Sequence, residues 1–242
     1  MIIEGKNNIN EAIAAGKGIV KLYVLKGYTD NIVQSIIEAA KEKKAKIQFV
    51  DKSYLDKLTP NKHQNVVAEI SDFTYSAVSE MTELARSRGE KVLLIILDGI
   101  EDPHNLGSIM RSAEIAGAHG IIISRNRAVG VTDTVVRVSA GASHHIKVAR
   151  VTNINDTIRD LKDNFINIYS ADMEGELMYK ADMKGDLALV IGGEGSGVSK
   201  LTAKLSDKRI AIPMRGRVNS LNAAQAAGIV IYEAVRQRYH NG

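Results

Sequence analysis

The 242-residue chain has no cysteine, which excludes a disulfide framework, thiolate zinc sites and a cysteine nucleophile. It has no tryptophan and only three phenylalanines, so a platform of aromatic rings for stacking unpaired bases is not expected. No run of 18 apolar residues occurs, and no membrane-spanning helix is expected. The first residues, Met1 to Lys6, set acid beside base and lack the apolar centre of a secretion signal. The expected location is the cytoplasm, with no membrane partner. Metal-ligand spacing is also missing, so no metal is expected.

What is present is the composition of a folded protein: 45% apolar and 25% charged residues, enough to bury a core. Net charge is +4 and the isoelectric point near 9.1, a mild bias that suits nucleic acid. The charge is unevenly placed. Between Pro103 and Val151 the basic residues are Arg111, Arg125, Arg127, Arg137, Lys147 and Arg150, against Glu114 and Asp133 alone. A second basic cluster, Lys208, Arg209, Arg215 and Arg217, has only Asp207 beside it.

Periodicity predicts a small α/β unit first. A short amphipathic helix over Asn10–Gly16 leads to a strand over Val20–Leu25. Asp30 is placed to cap a helix over Asn31–Lys44, with Ile32, Ile36, Ile37 and Ala40 along its buried face. Strands follow at Ile47–Val50 and Val66–Ile70, around a helical turn at Ser53–Leu58. The expected domains are 1–72, a linker over 73–90 that includes a helix at Val78–Arg86, and 91–242. The last opens with the unbroken apolar run Val92–Leu97, which suits a strand buried on both faces of a parallel sheet. A loop over Asp98–Gly107, a helix over Ser108–Ala116 and a strand at Ile121–Ile123 complete a βαβ unit. Further strands are expected at Phe165–Tyr169, Leu187–Ile191 and Ile210–Ile212, with helices at Thr157–Leu161, Val198–Leu205 and Asn222–Arg238. This alternation reads as an α/β domain with a parallel sheet.

Ligands of such sheets gather where the strands end, and three loops there have unusual composition. The first, Asp98 to Arg111, carries Pro103, Asn105 and Gly107. The second, Gly192-Gly-Glu-Gly-Ser-Gly197, directly follows a buried strand. It is not a Walker A loop, because Val198 stands where the lysine must be, and it fails G-x-G-x-x-G for the same reason. Glu194 would repel a phosphate, so a neutral or cationic ligand is preferred. The third, Ile212 to Asn222, opens a helix whose start is thin, with alanines at 223, 224, 226 and 227 and Gly228. Ser220 and Asn222 both suit a helix cap.

In order, Asn105-x-Gly107-x-x-x-Arg111, Leu189-Val-Ile-Gly-Gly-Glu-Gly-Ser-Gly197 and Ile212-Pro-Met with Ser220-Leu-Asn222 resemble the three motifs of the SpoU (TrmH-like) RNA ribose methyltransferases. The resemblance spans about residues 91–238, and His63-Gln64 before a strand extends it to the first unit. The layout looks most like the subgroup that methylates a guanosine ribose of 23S ribosomal RNA. The resemblance implies a trefoil-knotted domain, S-adenosylmethionine as cofactor, a homodimer with active-site groups drawn from both chains, and a ribosomal-protein-like RNA-binding domain at the N-terminus.

By matching position, the resemblance assigns cofactor contacts to Gly192, Gly193, Ile212, Met214 and Leu221. It assigns the polar active-site set to Asn105, Arg111, Glu194, Ser220 and Asn222. RNA contacts are expected from Arg125, Arg127, Arg137, His63 and Gln64. Two positions depart from the pattern: Asn65 replaces the glycine usual after His-Gln, and Gln225 stands where small or apolar residues are common. The implied reaction moves a methyl group from a sulfonium, already a good leaving group, to a ribose 2′-oxygen, so it mainly needs orientation and a more nucleophilic oxygen. Arg111 is expected to act as an electrostatic stabiliser and phosphate clamp, since a guanidinium is a poor base; direct proton removal by it stays open. The alternatives are the same chemistry on tRNA or as an rRNA resistance methylase, or a non-catalytic RNA-binding assembly factor.

Overall fold

The computed structural model describes residues 2–14, 17–42, 45–71, 73–195, 197–217 and 220–239. Gly16 and Lys44, the expected ends of two helices, and Ser196 in the glycine-rich loop lie outside them. The backbone divides into two compact units, residues 1–74 with 131–133, and residues 75–130 with 134–242.

The first unit runs β1 (Ile2–Glu4), α1 (Lys6–Ala14), β2 (Gly18–Leu25), α2 (Asn31–Glu42), β3 (Lys46–Val50), α3 (Lys52–Leu58) and β4 (Val66–Ser71). Its strands order β1-β4-β2-β3, with β2 and β3 parallel and the other pairs antiparallel. Asp30 caps α2, its Oδ1 accepting the Val33 N–H at 2.7 Å. The buried face of α2 is Val33, Ile36, Ile37 and Ala40, while Ile32 is 43% exposed. Adjacent apolar residues at 32 and 33 compete for one face, and packing beneath Leu22, Val24 and Ala68 selects Val33.

The second unit opens with α4 (Val78–Ser87). The stretch expected as a linker is therefore largely a packed helix, with Met81 and Ala85 fully buried among Val92, Leu94, Ile96 and Ile122. Then come β5 (Leu93–Asp98), α5 (Pro103–Ile115), β6 (Gly120–Ser124), α6 (Asp133–Val138), β7 (Val148–Val151), α7 (Ile154–Asp163), β8 (Asn167–Leu177), β9 (Leu187–Gly192), α8 (Lys200–Leu205), β10 (Lys208–Ala211) and α9 (Ala223–Tyr239). Among the described residues the strands form a six-stranded sheet, ordered β10-β8-β9-β5-β6-β7, in which each neighbouring pair is parallel. The central strands β5 and β9 are buried on both faces, as their unbroken apolar runs require.

α5 begins five residues before its expected start. Asp102 accepts the His104 N–H at 3.0 Å, and Pro103 occupies the first helical position, where a missing N–H costs nothing. Asn105, Leu106 and Gly107 are thus helical and buried rather than part of a loop. Gly107 is squeezed against α6, since a Cβ there would lie 2.7 Å from Val138 Cβ and 3.0 Å from the Val135 carbonyl oxygen.

Candidate active site

The glycine-rich loop is built on the ends of β5 and β9, where Asp98 lies opposite Gly192. Gly193 N–H donates to the Asp98 carbonyl at 2.9 Å, and the Asp98 carboxylate accepts the Ser199 N–H at 2.9 Å. The loop then doubles back, Gly197 N–H donating to the Gly193 carbonyl at 3.0 Å. A Cβ on Gly192 would stand 2.0 Å from the Gly197 carbonyl carbon, and one on Gly193 would stand 2.3 Å from the Gly99 oxygen. Only glycine fits at either position.

A polar triangle ties three segments together here. Asn105 of α5 donates from Nδ2 to Glu194 Oε1 at 2.9 Å. Asn222 Nδ2 donates to Asn105 Oδ1 at 2.9 Å and to the same Glu194 oxygen at 2.7 Å. Asn222 Oδ1 meanwhile accepts the Ala224 N–H at 2.9 Å and the Gln225 N–H at 3.3 Å, which caps α9. One side chain therefore fixes the start of the last helix and the position of the glycine-rich loop. Asn105 is only 6% exposed, and its bonds to Glu194 and Asn222 offset the cost of burying its amide.

Beside the triangle lies a cleft of about 680 Å³, within the usual range for a small-molecule site of ~300–1,000 Å³. Its walls include Ile191, Gly192, Gly193, Ile210, Ile212, Met214 and Leu221, with Glu194, Ser220 and Asn222 at its polar side. Among the described residues its charged lining is Glu194 and Asp172, the latter bonded to Arg209 at 3.4 Å, and neither lysine nor arginine lines it. Such a surface suits a flat apolar group carrying positive charge and repels a polyphosphate.

Eight of the expected residues thus meet at one cleft: Gly192, Gly193, Glu194, Ile212, Met214, Ser220, Leu221 and Asn222. Asn105 joins them through its hydrogen bonds. Arg111 does not. It lies six residues beyond Asn105, about 120° around the helix, is exposed, and has no hydrogen bond or ion pair among the described residues. Arg127 and Arg137 are exposed, and Arg125 is half-buried. In the first unit His63 accepts the Asn65 N–H at Nδ1 (3.0 Å) and meets Asp56 through Nε2 (3.0 Å). Gln64 and Asn65 both take left-handed φ values, 49° and 68°, and asparagine is the non-glycine residue that accepts this best. The Gln64 amide oxygen is engaged by the Lys6 N–H at 3.0 Å. Asp172 and Met173 of the cleft were missed because β8 was expected to stop at Tyr169, whereas it continues to Leu177.

The model of the SpoU rRNA methylase family matches residues 92–232. The chain belongs to the SpoU methylase family. The substrate-binding model of RNA 2′-O ribose methyltransferases matches residues 2–76 of this SpoU-family protein. A Bacillus subtilis (strain 168) protein assigned to the TrmH family of tRNA/rRNA methyltransferases is 41% identical over 97% of this chain and 94% of the relative. The SpoU methyltransferase AviRb of Streptomyces viridochromogenes, crystallised with AdoMet, superposes with a TM-score of 0.62 at 26% identity. That alignment covers 98% of this chain and 90% of AviRb. An AdoMet-bound rRNA methyltransferase of Sinorhizobium meliloti gives a TM-score of 0.61 at 26% identity, covering 97% and 86% of the two chains. Among the described residues of the SpoU-family protein no helix is long and apolar enough to cross a membrane.

Proposed function

We propose that this SpoU-family protein transfers the methyl group of S-adenosylmethionine to a ribose 2′-hydroxyl of ribosomal RNA, at a guanosine of the 23S molecule. The observation that carries the reading is the cleft itself, apolar on its walls, acidic at its rim and closed on one side by the Asn105–Glu194–Asn222 triangle. The cofactor fits these residues on their chemistry. Gly192 and Gly193 let backbone approach it, Ile212, Met214 and Leu221 offer apolar surface to its base, and the carboxylates complement its positive charge. When bound, it supplies a methyl group on a sulfonium, already a good leaving group.

The protein's task is then to hold and polarise the acceptor oxygen. Glu194, fixed by two amides, shapes the mouth of the cleft, and Ser220 lies beside it. Arg111 is the group we assign to the acceptor side, where a fixed positive charge stabilises a developing alkoxide and grips a neighbouring phosphate. It stands off the cleft of its own chain, which favours a homodimer in which each chain lends Arg111 to its partner. The exposed stripe of α5 that bears Arg111 also bears Ile115, 61% exposed, and the adjoining α9 exposes Ile229 and Tyr232 at 39% and 47%. The trefoil knot belongs to the same reading, as does an RNA-binding role for the first unit through His63 and Gln64.

The test has two parts. Calorimetry on the purified protein should detect S-adenosylmethionine binding in the presence of a chelator, and absence of binding would remove the cofactor assignment. Mapping of 2′-O-methyl groups in a deletion strain should then reveal one missing mark on a 23S guanosine. A missing mark on tRNA, or on another base, would overturn the proposed target while keeping the reaction.

A further inference from the structure

At the β7 edge of the sheet, two arginines stand together with no carboxylate paired to either among the described residues. Arg125 follows β6 directly and Arg150 lies in β7, strands that are neighbours and parallel. Arg125 Nε donates to the Arg150 carbonyl at 3.3 Å, and Arg150 Nη2 donates to the Arg125 carbonyl at 3.5 Å. Both side chains are half-buried. Neither has an ion pair among the described residues, and the nearest acid along the chain, Asp156, is engaged by Arg159 and Asn153. Arg125 Nη1 and Nη2 and Arg150 Nη1 find no acceptor among the described residues, and Arg150 Nε is buried without one. The Arg150 guanidinium lies over the Tyr75 ring, 5.8 Å from its centre.

Two adjacent cations in partial burial repel each other and lose hydration, so the arrangement is unfavourable unless something anionic completes it. The cost is visible in Arg125, whose pKa is lowered by burial and by the charge of Arg150. A structural clasp between strand ends needs no charge of this kind, because carbonyl acceptors are satisfied equally by neutral donors. Two neighbouring arginines, each with planar donors that find no acceptor among the described residues, can together grip a phosphate. The pair also sits at the carboxyl edge of the sheet that carries the cleft. With β5 between β9 and β6 and strands spaced ~4.8 Å apart, it lies roughly 10–15 Å from Gly192.

We propose that Arg125 and Arg150 form a phosphate-binding subsite that holds one backbone phosphate of the substrate RNA, away from the ribose being methylated. The subsite rests on the methyltransferase reading for the identity of the ligand, but not for its chemistry. Its role is to fix the register of the strand as it crosses the ends of β5, β6 and β7. Contacts of this sort position nucleic acid without reading its sequence.

The experiment is RNA binding by the full chain across a salt series, using a transcribed fragment of 23S RNA. The Arg125→Gln/Arg150→Gln variant should lower the slope of log affinity against log salt by about 0.7–0.9, the change for one phosphate contact. Arg159→Gln should leave the slope unchanged. In the wild type, RNA should slow phenylglyoxal modification of Arg125 and Arg150, read by mass spectrometry, several-fold more than inorganic phosphate at the same phosphate concentration. This second measurement decides the matter even if the double variant fails to fold. Wild-type protein that binds RNA with the slope unchanged in the folded variant, or with both arginines unprotected, overturns the subsite and leaves the methyltransferase reading standing. Equal protection by inorganic phosphate would make the site one for free anions and also overturn the proposal. Wild-type protein that binds no 23S fragment would overturn the 23S target and the subsite as proposed for it, while calorimetry with S-adenosylmethionine decides the reaction separately.

Discussion

Arg111 and Glu194 carry opposite charges but very different constraints. Glu194 accepts two amide N–H groups on one oxygen, so its position is fixed before any ligand arrives. Arg111 is exposed and unpaired among the described residues, and on the proposed reading it is held in place only where a partner chain and the substrate meet it. On that reading Arg111→Ala should lower the rate of methyl transfer by about 10²–10³, the usual loss on removing one electrostatic group aimed at developing charge. Cofactor affinity should hold, because Arg111 does not line the cleft, and Arg111→Lys should rescue poorly for want of the planar fork. Single-turnover kinetics with a calorimetric control makes the check; turnover within about threefold of wild type, ~0.65 kcal/mol, would return Arg111 to the ordinary surface. At Gly107 two effects of opposite sign compete. Alanine would gain ~1 kcal/mol in helix propensity, but its Cβ would meet Val138 Cβ at 2.7 Å and a carbonyl oxygen at 3.0 Å. Neither neighbour is the loose end of a long side chain, so the clash wins. Urea unfolding of Gly107→Ala should find it destabilised by ~1–3 kcal/mol, the range for overpacked sites.

Among the elements, α2 offers a pH test of local chemistry. Lys6, the Val33 N–H and the Tyr28 hydroxyl hold the Asp30 carboxyl at about 2, below its ordinary value. A carboxylate whose folded pKa is depressed contributes stability above its unfolded pKa of ~3.9. That contribution fades as pH falls from there through about 2. Asp30→Asn keeps a cap but loses the charge beside Lys6, so its melting temperature should trail wild type at pH 6 and converge on it near pH 2. A gap that persists at pH 2 would assign the effect to shape rather than charge. The Asp30 cap was legible in the sequence because capping is local, and so was the β5 run because burial on both faces leaves an unbroken apolar string. The start of α5 was not, because Pro103 and Gly107 read as loop punctuation. Asp102 before Pro103 was the signal, a capping residue followed by a proline at the first helical position. The choice of Val33 over Ile32, the full reach of β8 and the pairing of Arg125 with Arg150 depend on neighbours distant in the chain. The three motif loops could be named from sequence, but the hydrogen bonds that join Asn105, Glu194 and Asn222 could not.

For the molecule as a whole, the exposed apolar side chains of α5 and α9 bear on assembly. Sedimentation at micromolar concentration should find a species of twice the 26.3 kDa chain mass. Ile229→Asp, placed on that face, should shift it towards the single chain, and a wild-type protein that sediments as one chain would remove the dimer. Asn222 has a consequence that reaches beyond the finished fold. It follows β5, α5, β9 and β10 in the chain, yet it caps α9 and also completes the anchorage of Glu194. A growing polypeptide that has already made β5, α5, β9 and β10 has the glycine-rich loop, Asn105 and the Ile210–Met214 side of the cleft, and still lacks Leu221 and the latch. Competence therefore arrives in one late step of synthesis, and an unfinished chain released before Asn222 would be inert instead of partly active.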